Sequence, residues 1–206
     1  MLDSKGFDLW ADGYDEAVGL TEEENRYPFA GYKAVLSEIC RAVLSVPRAR
    51  VLDLGFGTGT LTARLYEQGC EIYGQDFSAR MIALAQEKMP KARLYQGDFS
   101  CGLAEPLRAL RFDFIVASYS LHHLTDERKR SLLAELRGYL RDGGKILIGD
   151  VAFRSRAELE ACRTEAGEEW DDEEFYFVVD ELKTAFPDLL FLPKSSCAGV
   201  LILKNL

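Results

Sequence analysis

Apolar positions along the chain switch repeatedly between two periods. Tyr32, Val35, Leu36, Ile39, Cys40, Val43 and Leu44 recur at helical intervals, one face of an amphipathic helix, with Pro47 just past its end. The run Val51 to Leu54 is instead short, continuous and closed by glycines. Leu61, Leu65 and Tyr66 then return to helical spacing with Gly69 as C-cap, so the pattern predicts strand, tight turn, helix. The alternation repeats. Cys70 to Gln75 predicts a second strand, and Ser78 caps a helix through Met81, Ile82 and Ala85 that stops at Pro90. Ala92 to Tyr95 predicts a third strand and Phe112 to Ala117 a fourth, nearly all apolar, as a parallel strand covered on both faces requires. Thr125, with Asp126 and Glu127 in the first turn, opens a helix whose face is Leu132, Leu133, Leu136, Tyr139 and Leu140, ended by Gly143 and Gly144; Lys145 to Gly149 makes strand five.

Strands alternating with helices of this length imply right-handed crossovers and a mainly parallel, doubly wound α/β sheet. Beyond it, Ser155 and Glu158 form a capping-box pattern, and Phe175, Val178, Val179, Leu182 and Phe186 predict a further helical face ending at Pro187. Leu189 to Leu192 and Val200 to Leu203 read as a terminal antiparallel pair. A length of 206 residues suits one domain: N-terminal cap helices over 1–48, a core over 49–150, and a helical insertion with the terminal strands over 151–206.

The net charge of −9 opposes binding to a phosphate backbone, which depends on Lys and Arg, so nucleic acid is not the expected partner. No apolar run approaches the roughly 20 residues of a membrane span. The N-terminus lacks the basic start and apolar middle of an export signal, which predicts a cytoplasmic protein with no membrane partner. Five scattered cysteines form no C-x-x-C pair and have no histidine at metal-ligand spacing. No disulfide framework and no metal site is expected. The acidic run Glu165 to Glu174 fits a solvated surface, or an attraction for a cationic amine. Monomer and homodimer are both compatible with the sequence.

The chemistry concentrates at Asp53-Leu54-Gly55-Phe56-Gly57-Thr58-Gly59-Thr60, between the first strand and its helix. Glycines there allow a sharp turn and a close approach of ligand to backbone; without a ligand the same pattern is a plain tight turn. The next strand ends at Asp76, placed by this topology to accept hydrogen bonds from the hydroxyls of a ribose. Together the two features point to a nucleoside. Met81 is placed to lie against its base, or is core. A dinucleotide fingerprint would have a third glycine at Thr60, which disfavours NAD and puts a nicotinamide oxidoreductase last among the readings.

Asp53 to Gly59, Asp76 and the segment Gly97-Asp98-Phe99 together resemble class I S-adenosylmethionine (SAM) dependent methyltransferases. The W-x-x-x-Y-D pattern within Phe7 to Asp15, together with His-His-Leu-Thr-Asp-Glu from His122, resembles the YrrT-type group of bacterial methyltransferases. The resemblance implies a Rossmann-like sheet of about seven strands in the order 3-2-1-4-5-7-6, the last strand antiparallel, with helices on both faces and a small N-terminal cap. It also implies SAM as cofactor, S-adenosylhomocysteine as product and a small-molecule acceptor. Gly55, Gly57 and Gly59 would bracket the methionine and ribose, Asp76 would hold the ribose hydroxyls, Asp98 would accept from the adenine amino group with the Phe99 backbone beside the ring, and Phe56, Phe77 and Gly97 would join them in binding the cofactor. Ser118 would offer its carbonyl to the ammonium. Asp53 would orient the glycine turn, reach that ammonium indirectly, or hold loop amides, and Trp10 and Tyr14 would close over the cofactor or simply pack.

Methyl transfer from a sulfonium needs orientation and exclusion of water more than it needs a base. If the acceptor loses a proton, Tyr119, His122 and His123 are the candidate catalytic residues, because the segment after strand four borders the site; each histidine also fits as a loop residue bonded to its surroundings. Two other classes stay open: a nonmethylating enzyme that uses SAM, and a sensor that binds SAM without turning it over.

Overall fold

The glycine-closed apolar runs fold as the parallel strands of a mixed sheet in a computed structural model that describes residues 27–205. In chain order the elements that matter are α1 (Tyr32–Leu44), β1 (Arg50–Leu54), α2 (Thr60–Glu67), β2 (Glu71–Asp76), α3 (Ala79–Lys88) and β3 (Arg93–Gln96). They continue with α4 (Glu105–Arg108), β4 (Phe112–Ser118), α5 (Asp126–Arg137), β5 (Leu140–Phe153) and α6 (Arg156–Ala166). Last come β6 (Phe177–Val178), α7 (Val179–Leu182), β7 (Leu190–Pro193) and β8 (Ala198–Lys204).

The sheet order is β3-β2-β1-β4-β5-β8-β7, with the two-residue β6 paired to the end of β5 off this path. Strands β1 to β5 are parallel, and β8 alone runs against them between β5 and β7. With β6 set aside, this is the order the resemblance implied. Alternation along each strand explains the continuous apolar runs. Val51, Phe114, Val116 and Leu147 face the layer of α1, α2 and α3, while Leu52, Leu54, Ile115 and Ile146 face Leu107, Leu132, Leu133 and Leu136 on the other side.

Helix starts follow side-chain caps. Ser78 Oγ accepts from the Met81 amide at 3.1 Å. Ser155 Oγ accepts from the Glu158 amide at 3.4 Å, and the Glu158 carboxylate takes the Arg154 amide at 2.9 Å, so the box closes one residue before the cap. Two expectations are corrected. Helix α5 ends at Arg137, not at Gly143; Tyr139 and Leu140 leave it to join the sheet, where the Phe112 amide donates to the Tyr139 carbonyl at 2.9 Å. The pairing then jumps from Phe112↔Leu140 to Phe114↔Lys145, and Gly143 and Gly144 lie in this irregular stretch of β5 instead of capping a helix. The face from Phe175 to Phe186 is likewise not one helix: Phe177 and Val178 pair with Ala152 and Phe153, and only one turn of helix follows.

Helix α1 crosses β5 at Gly149, where an added Cβ would collide with Val35 Cγ1 and stand 2.8 Å from Ile39 Cδ1. Gly149→Ala is therefore expected to destabilise the protein by about 1–3 kcal/mol through overpacking, measured by denaturant unfolding. Among the described residues, no helix is long and apolar enough to cross a membrane.

Candidate active site

Strand order reverses between β1 and β4, the switch point at which an open α/β sheet leaves a crevice beyond its carboxyl ends. A cavity of about 580 Å³ opens there, bordered by the β1–α2 turn, the tip of β2 and the segment after β4.

The turn is shaped by contacts at both glycines. Gly55 has φ +69°, and its amide donates to the Gln75 carbonyl at 2.8 Å, prolonging the β1–β2 ladder. A Cβ on it would stand 2.5 Å from Ser120 Cβ, whose hydroxyl donates to the Leu54 carbonyl at 2.8 Å. Gly57, at φ +55°, faces open space, and its amide donates to Asp76 Oδ2 at 2.9 Å; Oδ1 of the same carboxylate takes the Ser78 amide at 2.9 Å. Asp76 thus ties the glycine turn to the start of α3 while lining the cavity.

Gly55, Phe56, Gly57, Asp76, Phe77 and Met81 line that cavity, and so do Asp98, Phe99, Ser118, Tyr119, His122 and His123. Asp98 accepts from the Ser100 amide at 2.7 Å and holds the Phe99 turn against the opening. Three of the expected cofactor residues stand back from the cavity wall. Gly59 starts α2, where a Cβ would meet Met89 and Ala85; Gly97 packs on the Gln75 side chain. Asp53 is fully buried under the turn, where its Oδ2 accepts the Thr62 hydroxyl and its Oδ1 has no hydrogen-bond partner among the described residues. Burial pushes the Asp53 pKa up to about 7, against the Thr62 bond and with the charge of Asp76 adding to it. Trp10 and Tyr14 lie outside the described residues.

The segment after β4 is held in place by long-range contacts. Tyr119 follows β4 with φ +50°, a left-handed conformation rare for a residue with a side chain, and its ring packs on Phe29 and Tyr32. His122 Nδ1 lies 2.7 Å from Asp150 Oδ1, and its Nε2 lies 3.4 Å from Glu174 Oε1. Burial opposes charge on His122, but Asp150 outweighs it through its charge and hydrogen bond, and the pKa ends above its ordinary value. His123 goes the other way: burial and the neighbouring His122 pull it down to about 3. Burial also raises Glu174, against the pull of His122. Sequence reasoning missed Asp150, Ser120 and Glu174. An acidic residue immediately after a predicted strand was the available signal for Asp150; Glu174 gave none beyond its place in the acidic run, of which Glu169, Asp171 and Glu174 turn toward the cavity.

A cluster of aromatic rings stands beside the cavity, with Tyr27 in its lining. Tyr27 stacks on Trp170 with centroids 5.0 Å apart, Trp170 meets Tyr176 edge-on at 4.9 Å, and the hydroxyls of Tyr27 and Tyr176 share a hydrogen bond. Burial pushes the Tyr27 pKa up to about 12.

The methyltransferase-domain family matches residues 51–144. An uncharacterised methyltransferase of Geobacillus sp. (strain WCH70) is 38% identical over 190 residues, spanning 88% of this chain and 86% of the relative. One from Anoxybacillus flavithermus is 39% identical over 160 residues, 78% of this chain and 72% of the relative. Among solved structures, a DhpI complex with S-adenosylhomocysteine superposes with a TM-score of 0.70 at 18% identity over 97% of this chain and 93% of the other. Magnesium protoporphyrin IX methyltransferase from Synechocystis, with the same ligand bound, gives 0.68 at 15% identity over 86% and 85%. These two likenesses bear on the fold. The glycine turn, the carboxylate at the tip of β2, and the identity over most of the length to the Geobacillus relative agree, and the chain belongs to the class I methyltransferases.

Proposed function

We propose that the protein transfers the methyl group of SAM to a small-molecule acceptor. One observation carries this reading: the backbone of a glycine turn and the Asp76 carboxylate, joined by the Gly57 amide, face one cavity at the switch point of the sheet. The residues fit the cofactor. Gly57 leaves room where a side chain would intrude, Asp76 supplies the acceptor for ribose hydroxyls, and Asp98 with Phe99 borders the place of a base. SAM held there would supply a methyl carbon activated by its sulfonium, the bond to sulfur giving way as the bond to the acceptor forms.

What the chain adds is position and dryness. Tyr119, His122 and His123, after β4, line the cavity where the acceptor would lie, and so do the rings of Tyr27, Phe29 and Tyr32. A volume near 580 Å³ is in the range that small molecules occupy, which favours a small acceptor over a polymer.

Asp76→Ala is expected to weaken SAM binding more than tenfold in calorimetry while the protein still melts cooperatively; unchanged affinity would remove Asp76 from the site. Release of S-adenosylhomocysteine on adding metabolite pools with labelled SAM then separates a transferase from a protein that only holds the cofactor.

A further inference from the structure

We propose that His122, His123 and Glu174 bind a divalent transition-metal ion through two imidazole nitrogens and one carboxylate oxygen, with the remaining coordination positions open to the cavity. The ligand-bearing atoms of the three side chains all lie within 4.8 Å of one another, and all three residues line the cavity wall. The closest defined pair, His122 Nε2 and Glu174 Oε1, is 3.4 Å apart. Two ligands about 2.0–2.1 Å from a tetrahedral ion stand about 3.3 Å from each other, so this pair is already at the required separation.

The surroundings are those of a built site. His122 turns its other ring nitrogen to Asp150 at 2.7 Å, the carboxylate–histidine pairing that fixes the ring and directs Nε2 toward a metal. Asp150 is wholly buried; its Oδ1 also takes the Val151 amide at 2.8 Å, and its Oδ2 has no hydrogen-bond partner among the described residues. The imidazole thus stands between two carboxylates, Asp150 behind it and Glu174 at its free nitrogen, a donor set suited to a cation. The backbone locks the two segments together: the Phe175 amide donates to the His122 carbonyl at 2.8 Å, setting Glu174 beside the histidine pair although it lies far along the chain. Lys129, itself buried, holds the Phe175 carbonyl from the opposite side.

Two nitrogens and one oxygen select among ions. Magnesium and calcium favour all-oxygen sets, whereas zinc, iron(II), manganese and cobalt accept imidazole with carboxylate. Three protein ligands with open positions is the arrangement of a reactive metal site, in contrast to the four closed ligands of a structural one. The inference stands apart from cofactor binding, since none of the three ligands belongs to the glycine turn or to the tip of β2.

The test uses the full chain, without an affinity tag and stripped with a chelator, titrated with cobalt(II) and followed by visible absorption. The expected result is one ion per chain, ligand-field bands that zinc displaces, and an affinity at least tenfold weaker in His123→Gln and in Glu174→Gln, with Asp150→Asn weaker by about tenfold. Cys101→Ser, at an exposed thiol, serves as a control and should bind as the wild type does. Absence of binding by the wild type would overturn the proposal and leave His122 and Glu174 as a plain ion pair. Cobalt binding that survives both ligand variants would overturn it too, by placing the ion elsewhere. Calorimetry with SAM on the same samples reports the cofactor site separately, so failure of either reading is recognised without the other.

Discussion

Raising the pH from about 5 to about 8 is expected to weaken the wild-type fold by roughly 3 kcal/mol more than it weakens the Asp53→Asn variant. Asp53 is fully buried, and burial lifts its pKa from 3.8 to about 7. Between those values the folded protein keeps a proton that the unfolded chain has released. The stabilisation is whole below the unfolded value and drains away as pH climbs toward the folded one, at about 1.4 kcal/mol per pH unit. In the variant, the amide side chain keeps an oxygen for the Thr62 hydroxyl and has nothing to titrate. Urea unfolding of both proteins at the two pH values measures the difference, and parallel pH dependence would show that Asp53 ionises freely in the fold.

Gly55→Ala is expected to lower stability by about 2–5 kcal/mol and to abolish SAM binding. A φ of +69° costs an L-residue roughly 1–2 kcal/mol, and the new methyl would stand 2.5 Å from Ser120 Cβ, an overlap that requires movement worth about 1–3 kcal/mol. These two penalties can be separated. Adding Ser120→Gly removes the clash, leaves the backbone strain and gives up the hydroxyl bond to Leu54, so Gly55→Ala should cost less when introduced into Ser120→Gly than into the wild type. An equal cost in the two backgrounds, read by denaturant titration, would show that Ser120 is not what fills the space.

Local features of the fold were legible because local forces make them: a glycine-closed apolar run, a serine cap and helical spacing each act within a few residues, and β1, α2, β2 and α3 appear where those signals stand. Competition between local and distant preferences was harder to read. Gly143 and Gly144 carry the marks of a helix end, yet pairing of Leu140 with Phe112 draws the chain into the sheet first. Phe175 to Phe186 has helical spacing, yet Phe177 and Val178 gain more as partners of β5. The same division runs through the site. Asp76 and the glycine turn sit on adjacent parallel strands, a neighbourhood the topology dictates. The joining of His122 to Asp150 and Glu174 depends on three segments whose meeting no spacing records. Asp53 and Gly59 belong to the same motif and serve the turn from behind the cavity wall, which for Asp53 is one of the roles the sequence offered.

The aromatic cluster unites residues from opposite ends of the chain: Tyr27 precedes α1, whereas Trp170 and Tyr176 follow α6, and the matched family segment 51–144 includes none of them. On the proposed reading, the nucleoside cradle and the ring cluster beside the cavity are therefore written in separate stretches of sequence. Selection could then rebuild the cluster for a new acceptor while the cradle stays untouched, but only by altering both of its halves in concert, because Tyr27 is stacked on Trp170. Grafting a single half between relatives should accordingly yield proteins that grip cofactor normally and accept neither parent's substrate.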